Sequence, residues 1–276
     1  MRIDAHQHYW AIERGDYGWI TPEIAVLYRD YGPEHLQPSL NRHGISHTIA
    51  VQAAPTLAET EYLLALSDRT ESIAGVVGYL DLFDPEHLSH FEQFTRHQRF
   101  VGFRVMIQEL KDAEVILQQT FVNAMREYET RDTPIDLLLT SNQLDSLVQI
   151  MKQVPNLRGV IDHLAKPRIA AGELDPWRSQ ITELARYPKL YCKLSGMVTE
   201  ASHDSWRPEH FIAYIRHVLE AFGPDRVMFG SDWPVCLLAA GYDEVVDVLE
   251  QALPASWGEA ERSKLFGLNA KEFYKL

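Results

Sequence analysis

Short apolar segments alternate with longer amphipathic segments eight times along this chain, and this alternation constrains the fold more than any other feature. The predicted strands cover residues 2–8, 47–53, 73–82, 100–107, 135–140, 158–164, 190–195 and 226–230. Most are rich in Val, Ile, Leu and Phe without a polar residue at every second position. This composition is typical of parallel strands whose outer face is covered by helices.

The segments between the strands have apolar residues at helical spacing. The predicted helices cover residues 33–43, 56–69, 85–98, 113–131, 143–154, 176–187, 208–222, 242–253 and 259–274. Thr56 precedes Glu59 by three residues, which is the spacing of a capping box at a helix start. Pro38 lies inside the first of these segments and predicts a short or kinked helix there.

Eight strands that alternate with helices predict a (β/α)₈ barrel of the TIM type. The chain has 276 residues, close to the roughly 250 typical of such barrels, and we expect one domain over residues 1–276. A doubly wound open sheet would fit the same alternation. However, it usually has fewer strands and often a phosphate-binding loop, and no G-x-G-x-x-G follows any predicted strand.

Charge and cysteine content restrict the partners and the compartment that we expect. The formal net charge is -13, so we expect neither nucleic acid nor membrane partners, because both carry negative charge. Cys192 and Cys236 are the two cysteines, too few for a disulfide framework. With no signal peptide in the first residues, we expect a cytoplasmic protein. A homo-oligomer is compatible with the sequence.

Four polar side chains stand at the ends of predicted strands, where barrel enzymes carry their catalytic groups. His6 and His8 end the first strand, and their spacing of two places both imidazoles on the same side. His163 ends the sixth strand, and Asp232 directly follows the eighth. We expect the four side chains to converge on one site.

Short motifs containing these residues give a more specific indication. In chain order they are D-A-H-Q-H-Y-W at 4–10, V-Q-A-A at 51–54, G-F-R at 102–104, I-D-H-L-A-K-P at 161–167, K-L-S-G at 193–196 and F-G-S-D-W-P at 229–234. The chain thereby resembles the amidohydrolase superfamily and, within it, the amidohydrolase-2 type sugar lactonases that hydrolyse L-fuconolactone or L-rhamnonolactone. The resemblance implies a carboxylic ester hydrolase that acts on a sugar lactone as its small-molecule partner.

The ends of the fourth and fifth strands depart from the binuclear metal pattern of that superfamily. The fourth strand ends around Arg104, Met106 and Gln108 without a lysine for a bridging carbamate, and the fifth ends without a histidine. A single divalent ion such as Zn²⁺ could be held by the remaining donors. Those donors are His6, His8, His163 and Asp232. The resemblance leaves room for catalysis that requires no metal, so we treat the site as able to bind one ion without depending on it.

Ester hydrolysis needs a base for water and a donor for the oxyanion. We expect Asp232 to be the general base for direct water attack and to return the proton to the ring oxygen. His163, with His6 or His8, would donate to the oxyanion. The expected substrate-binding residues are Arg104 as an anchor for oxygens, Trp10 and Trp19 as pocket walls, and Gln52 and Asp81 as hydroxyl-binding groups.

Two other function classes fit parts of the sequence. One is a metal-dependent decarboxylase or amide hydrolase of the same superfamily. Decarboxylase relatives typically have H-x-G on strand six, whereas His163 is followed by Leu164 and Ala165. The other is a non-enzymatic carbohydrate-binding barrel. Such a protein would use the aromatic residues but would have no need of Asp232.

Overall fold

The computed structural model describes residues 1–276, and eight parallel strands form its centre. The strands are β1 (Ile3–Gln7), β2 (His47–Val51), β3 (Ile73–Tyr79), β4 (Phe100–Met106), β5 (Ile135–Leu138), β6 (Gly159–Ile161), β7 (Leu190–Leu194) and β8 (Val227–Phe229), and each pairs with the next. The residues after β8 return to β1, because His8 N donates to Trp233 O over 2.7 Å. The sheet thus closes into the (β/α)₈ barrel that the sequence predicts.

The helices surround the barrel in the order expected from the sequence. They are α1 (Pro33–Arg42), α2 (Leu57–Asp68), α3 (His87–Phe94), α4 (Gln119–Thr130), α5 (Leu144–Gln153), α6 (Trp177–Leu184), α7 (Glu209–Phe222), α8 (Tyr242–Ala252), α9 (Glu259–Ser263) and α10 (Asn269–Tyr274). Pro38 lies inside the ten-residue α1. None of these helices has the length and apolar character needed to cross a membrane.

Two predicted helices are interrupted in the structure. The segment 113–131 is a 3₁₀ turn followed by α4, because the backbone of Gln118 is extended between them. The segment 259–274 breaks at Gly267, against which the N-terminus packs closely. A Cβ on Gly267 would lie 2.4 Å from the carbonyl oxygen of Met1. The helix is therefore interrupted where its backbone packs directly against the backbone of the N-terminus. The helical spacing of apolar residues does not reveal such a contact.

The C-terminal helix α10 covers the end of the barrel at which the strands begin. Phe273 packs against Tyr191 of β7 with ring centroids 5.0 Å apart. The hydroxyl of Tyr274 donates to Asp136 of β5 over 2.7 Å, inside the barrel. With this end covered, the opposite end, where the strands finish, is left for a ligand.

A buried carboxylate joins the first strand to the segment that follows the last. Asp4 is fully buried, and its Oδ1 accepts hydrogen bonds from the backbone N–H groups of Ser231 (2.9 Å) and His6 (3.2 Å). Its Oδ2 accepts from the hydroxyl of Tyr242 on α8 over 3.0 Å. Burial raises the pKa of Asp4 to about 6. This side chain therefore holds together the seam of the barrel, which is the junction between β1 and the segment after β8. The seam lies next to His6 and Asp232.

Replacing Asp4 tests the importance of this seam. We expect Asp4→Ala to lower the free energy of unfolding by about 3–5 kcal/mol, because it leaves buried N–H donors without acceptors. Tyr242→Phe removes one hydrogen bond to the same carboxylate and should cost only about 1 kcal/mol. Denaturant unfolding of both variants measures the difference. Equal losses would contradict a seam role for Asp4.

Candidate active site

The four polar side chains predicted at strand ends converge in the structure. The Oδ1 atom of Asp232 lies 3.3 Å from His8 Nε2, 3.8 Å from His6 Nε2 and 3.9 Å from His163 Nε2. All four residues are buried. Three imidazoles therefore surround one carboxylate oxygen at the end of the barrel where the strands finish.

A small cavity of about 200 Å³ opens above this cluster. It is smaller than the roughly 300–1,000 Å³ typical of drug-sized ligand sites, which suits a small molecule. The residues that line it are His8, Trp19, Ala53, Arg104, Met106, Gln108, Glu109, Leu138, His163, Lys166, Asp232 and Val235. His6 lies behind this lining and is fully buried.

The backbone that presents His163 is strained. Residues His163, Leu164, Ala165 and Lys166 all have φ between 48° and 58°, in the left-handed region that non-glycine residues rarely adopt. Such conformations cost roughly 1–3 kcal/mol each and cluster at functional sites. The turn brings both His163 and Lys166 to the cavity wall.

Gly196 makes room for the imidazole that this turn presents. Its φ is +58°, and a Cβ there would lie 2.5 Å from His163 Nδ1. Nδ1 of His163 forms a hydrogen bond of 2.8 Å with the hydroxyl of Ser195. The K-L-S-G motif thus supplies both the space and the hydrogen bond that orient His163.

Hydrogen bonding also fixes the ring of His8. Its Nδ1 lies 2.7 Å from the carbonyl oxygen of Val51 at the end of β2. Because a carbonyl only accepts hydrogen bonds, Nδ1 must carry the hydrogen. The other nitrogen, Nε2, therefore faces Asp232. An imidazole held in this way by a backbone carbonyl is typical of metal-binding and catalytic histidines.

Burial sets the charge of the cluster. It lowers the pKa values of His6 and His163 well below the usual 6.5, so both rings are neutral at pH 7. Burial by itself raises the pKa of Asp232, but the proximity of His163 and His8 outweighs burial and holds the pKa of this carboxyl below its usual value. The site therefore combines an ionised carboxylate with the neutral imidazoles of His6 and His163.

Comparison with known proteins places this arrangement in a family. The amidohydrolase family model matches residues 3–276. The chain belongs to the amidohydrolase family. The L-fucono-1,5-lactonase of Burkholderia ambifaria is 38% identical to it, and the match covers 100% of this chain and 96% of that protein.

Two further relatives are informative. The L-rhamnono-gamma-lactonase of Scheffersomyces stipitis is 27% identical, and the match covers 74% of this chain and 65% of that protein. A crystal structure of an amidohydrolase from Burkholderia multivorans with bound zinc has a TM-score of 0.93 and 38% identity, covering 100% of this chain and 99% of that one. The family, fold and full-length match thus agree with the resemblance read from the motifs.

The structure separates the predicted substrate-binding residues of this amidohydrolase into two groups. Arg104 and Trp19 line the cavity. Trp10 does not, since it is 1% exposed and its indole N–H donates to the carbonyl of Arg29. Asp81 lines a neighbouring cavity, and its Oδ1 accepts from Phe83 N. The expectation that Trp10 and Asp81 reach the pocket is therefore corrected.

Gln52 lies one layer behind the cavity. It is fully buried, its side-chain amide donates to the sulfur of Met106, and its backbone carbonyl accepts from Arg104. Gln52 thus supports two lining residues and, like Trp10, does not itself line the cavity.

A buried ionic network beneath the site was not anticipated from the sequence. Lys193 of β7 is fully buried, and its ammonium contacts Asp136, Asp162 (3.1 Å) and His6 Nδ1 (3.1 Å). Arg104 contacts the other oxygen of Asp162 over 3.6 Å. One sequence feature could have indicated this network: a lysine inside the apolar strand L-Y-C-K-L. Lysine is almost never fully buried without a partner.

Two groups of side chains have the spacing of metal ligands: His6, His8 and Asp232, and His6, Asp162 and His163. In the first, distances of 3.3 and 3.8 Å to Asp232 are near the ~3.4 Å between two ligands of a tetrahedral zinc ion. In the second, Lys193 already contacts His6 and Asp162. The donors beside Asp232 therefore fit one divalent ion.

The loop that carries Trp19 is fastened by a buried glutamate. Trp19 Nε1 donates to the carbonyl of Ala53 over 2.8 Å. Glu59 of α2 accepts from Ala53 N (3.1 Å) and from the hydroxyl of Tyr17 (2.7 Å). Thr56 caps α2 by accepting a hydrogen bond from Glu59 N. The carboxylate of Glu59 is occupied by its hydrogen bonds from Ala53 N and the Tyr17 hydroxyl. Burial raises the pKa of Glu59 to about 7.

The raised pKa of Glu59 predicts a specific dependence of stability on pH. The folded state retains the proton that the unfolded chain loses near pH 4.5, so the contribution of Glu59 to stability falls as pH rises from 4.5 to about 7. Glu59→Gln removes this effect. Between pH 5 and pH 8 we expect the unfolding free energy of the variant to rise relative to the unaltered protein by roughly 2–3 kcal/mol. A constant difference, measured by denaturant unfolding, would contradict this assignment.

The metal-ligand spacing predicts a stoichiometry. We expect zinc titration to show at most one tightly bound ion per chain, because Lys193 fills the second group of ligands. His8→Ala should weaken that binding, since it removes a ligand held ready by Val51. Elemental analysis that gives two tightly bound ions per chain would refute the prediction.

Proposed function

We propose that this amidohydrolase hydrolyses a sugar lactone of the L-fucono-1,5-lactone type to the corresponding sugar acid. Two named relatives act on sugar lactones, and the one named for L-fucono-1,5-lactone matches the whole chain. The observation that carries the proposal is Asp232, an ionised carboxylate among three imidazoles at the floor of a small cavity. This is the arrangement that base-assisted water attack requires.

In the proposed reaction Asp232 acts as the general base. Its Oδ1 removes a proton from water as the water oxygen attacks the lactone carbonyl, and the carbonyl becomes a tetrahedral oxyanion. When the bond to the ring oxygen breaks, Asp232 returns the proton to that oxygen. Because the pKa of Asp232 lies below its usual value, the carboxylate is ionised and ready at neutral pH.

The neutral rings beside Asp232 would stabilise the oxyanion. A neutral imidazole N–H from His163 or His6 can donate a hydrogen bond without first losing a proton to the carboxylate. Arg104, which lines the cavity, is placed to hold a carbonyl or carboxylate oxygen. If bound, a divalent ion on His6, His8 and Asp232 would polarise the carbonyl as a Lewis acid. We propose that this ion is not required.

The cavity walls suit a polyhydroxylated ring. Trp19 uses its indole N–H on Ala53, which leaves its ring as an apolar surface for one face of a sugar. The cavity is also lined by polar side chains, which supply hydrogen-bond donors and acceptors for the hydroxyl groups of the ring. These are Gln108, Glu109 and Lys166. We propose that these residues, with Arg104, bind the substrate.

A screen of aldonolactones tests the proposed substrate class. Ring opening releases a proton from the acid product, so a pH indicator reports turnover directly. We expect L-fucono-1,5-lactone to be among the best substrates and turnover to persist after treatment with a chelator. Loss of activity that zinc restores would show that the metal is required. Absence of turnover with every lactone would refute the proposed function.

Asp232→Asn tests the general base. The asparagine keeps the shape of the side chain but cannot accept the proton, so kcat should fall by roughly 10²–10⁴ with little change in lactone binding. Asp84→Asn is a matched control, because Asp84 is a half-buried aspartate that does not line the cavity. Its Oδ1 accepts from Glu86 N, and its Oδ2 lies 3.8 Å from His90 Nδ1. Near-normal turnover of Asp232→Asn would show that the base is misassigned. Retained binding without any turnover in the unaltered protein would favour a carbohydrate-binding barrel.

A further inference from the structure

We propose that Met106 is a specificity-determining residue, which separates the catalytic cavity from a second cavity and thereby limits the substrate to lactones with a small substituent on the ring. The catalytic cavity is the one of about 200 Å³ that Asp232 lines. The restriction on lactones rests on the proposed function, whereas the place of Met106 between two cavities rests on the structure around β4.

The second cavity shares a wall with the catalytic cavity and has a volume of about 290 Å³. Met106 and Glu109 line both cavities. Met106 is half-buried and Glu109 is exposed, so Met106 forms the inner part of the shared wall and Glu109 its rim. The rest of the second cavity is lined mainly by apolar side chains, among them Leu82, Phe83, Val105, Leu110 and Phe121. Such walls suit a hydrocarbon group rather than a hydroxylated ring.

The place of Met106 in the shared wall follows from the geometry of β4. Successive side chains of a strand point to opposite sides, so Arg104 and Met106 share one direction and Val105 has the other. Of the two cavities, Arg104 lines only the catalytic one and Val105 only the second. Met106 is the last residue of β4, and its backbone (φ -91°, ψ 64°) already departs from that of a parallel strand. Its side chain can therefore stand between the two cavities.

Gln52 holds the sulfur of Met106 in this position. The side-chain amide of Gln52 donates to Met106 Sδ over 3.0 Å, and Gln52 is fully buried. A methionine side chain has three rotatable bonds, so this contact restricts a group that could otherwise turn aside. The Oε1 atom of Gln52 is buried without a partner in the protein, which makes the amide costly to bury. Gln52 is therefore a positioning residue that keeps the shared wall closed.

The shared wall determines which ring substituents fit beside Asp232. L-Fucono-1,5-lactone carries one methyl group in addition to its hydroxyls, and a ring of this size suits the small catalytic cavity. A longer alkyl chain that points toward β4 meets the side chain of Met106. Beyond Met106 the same chain would be buried against apolar walls, which is favourable. Met106 thus excludes a chain that the second cavity could otherwise accept.

Met106→Ala tests this role with two lactones that differ only in one chain. δ-Hexalactone and δ-nonalactone have the same six-membered ring, with a methyl and a butyl group on the same carbon. We expect the unaltered protein to have the higher kcat/KM with δ-hexalactone. In Met106→Ala the ratio of kcat/KM for δ-nonalactone to that for δ-hexalactone should rise about 10–100-fold, because three further CH₂ groups are buried. An unchanged ratio in the folded variant would overturn the proposal.

Two further variants locate the chain. Val235→Ala is the matched control, because Val235 is half-buried and lines the catalytic cavity but not the second. Its ratio should stay near that of the unaltered protein, and an equal rise would show that any enlargement admits the chain. Leu110 lines only the second cavity. Adding Leu110→Trp to Met106→Ala should fill that cavity and remove the gain, and a gain that persists would count against the proposal.

Gln52→Leu tests the positioning of Met106. Leucine is similar in size to glutamine but has no N–H to donate, so the sulfur is released and Met106 can turn aside. We expect a smaller rise in the same ratio than in Met106→Ala, with kcat/KM for δ-hexalactone little changed. A merely structural role would lower kcat/KM for both lactones and leave their ratio unchanged, which would overturn the part assigned to Gln52.

Calorimetric titration with the ring-opened acids separates this proposal from the proposed function. Binding of 5-hydroxyhexanoate and 5-hydroxynonanoate is measured without any turnover. Met106→Ala should raise the affinity for 5-hydroxynonanoate relative to 5-hydroxyhexanoate by about 10–100-fold. If the unaltered protein opens no lactone, the proposed function fails, but this titration still shows whether Met106 limits the length of the chain. Absence of the relative gain would overturn the role of Met106.

Discussion

The buried ammonium of Lys193 is the interaction on which the interior of this barrel depends. It joins β7 to Asp136 on β5, to Asp162 after β6 and to His6 on β1, and Tyr274 adds the C-terminal helix through Asp136. Removing one partner of such a network typically costs about 3–5 kcal/mol, because an uncompensated charge is left in the core. The network therefore couples barrel closure to the ring orientation of a site residue.

The strained backbone turn that presents His163 is held in place by contacts of its own residues. The left-handed turn from His163 to Lys166 is unfavourable by itself, and it persists because its surroundings hold it. Leu164 within the turn is fully buried, and its carbonyl accepts from the indole N–H of Trp177 over 2.7 Å. Packing of a single apolar side chain and one hydrogen bond thus help to hold His163 where no regular strand would place it.

The sequence predicted the barrel and the convergence of His6, His8, His163 and Asp232, because strand ends of a parallel barrel meet at one face. The sequence did not show that Trp19 lines the cavity whereas Trp10 does not. The two tryptophans lie on one segment, and their positions depend on the hydrogen bonds of Trp10 to Arg29 and of Trp19 to Ala53. It also missed Lys193, whose partners come from strands that are distant along the chain. Periodicity identifies a strand and its buried residues but not which charges meet across the barrel.

Charge changes during the proposed reaction explain why the site combines Asp232 with two cationic side chains. A neutral lactone becomes a carboxylate close to Asp232, and like charges at this distance repel each other in a buried site. Arg104 and Lys166 line the same cavity and can draw the new carboxylate away from the base. With 39 acidic and 26 basic residues, the chain as a whole disfavours an anion that stays bound. The electrostatic field that leaves a neutral substrate unaffected would therefore assist release of the acid product.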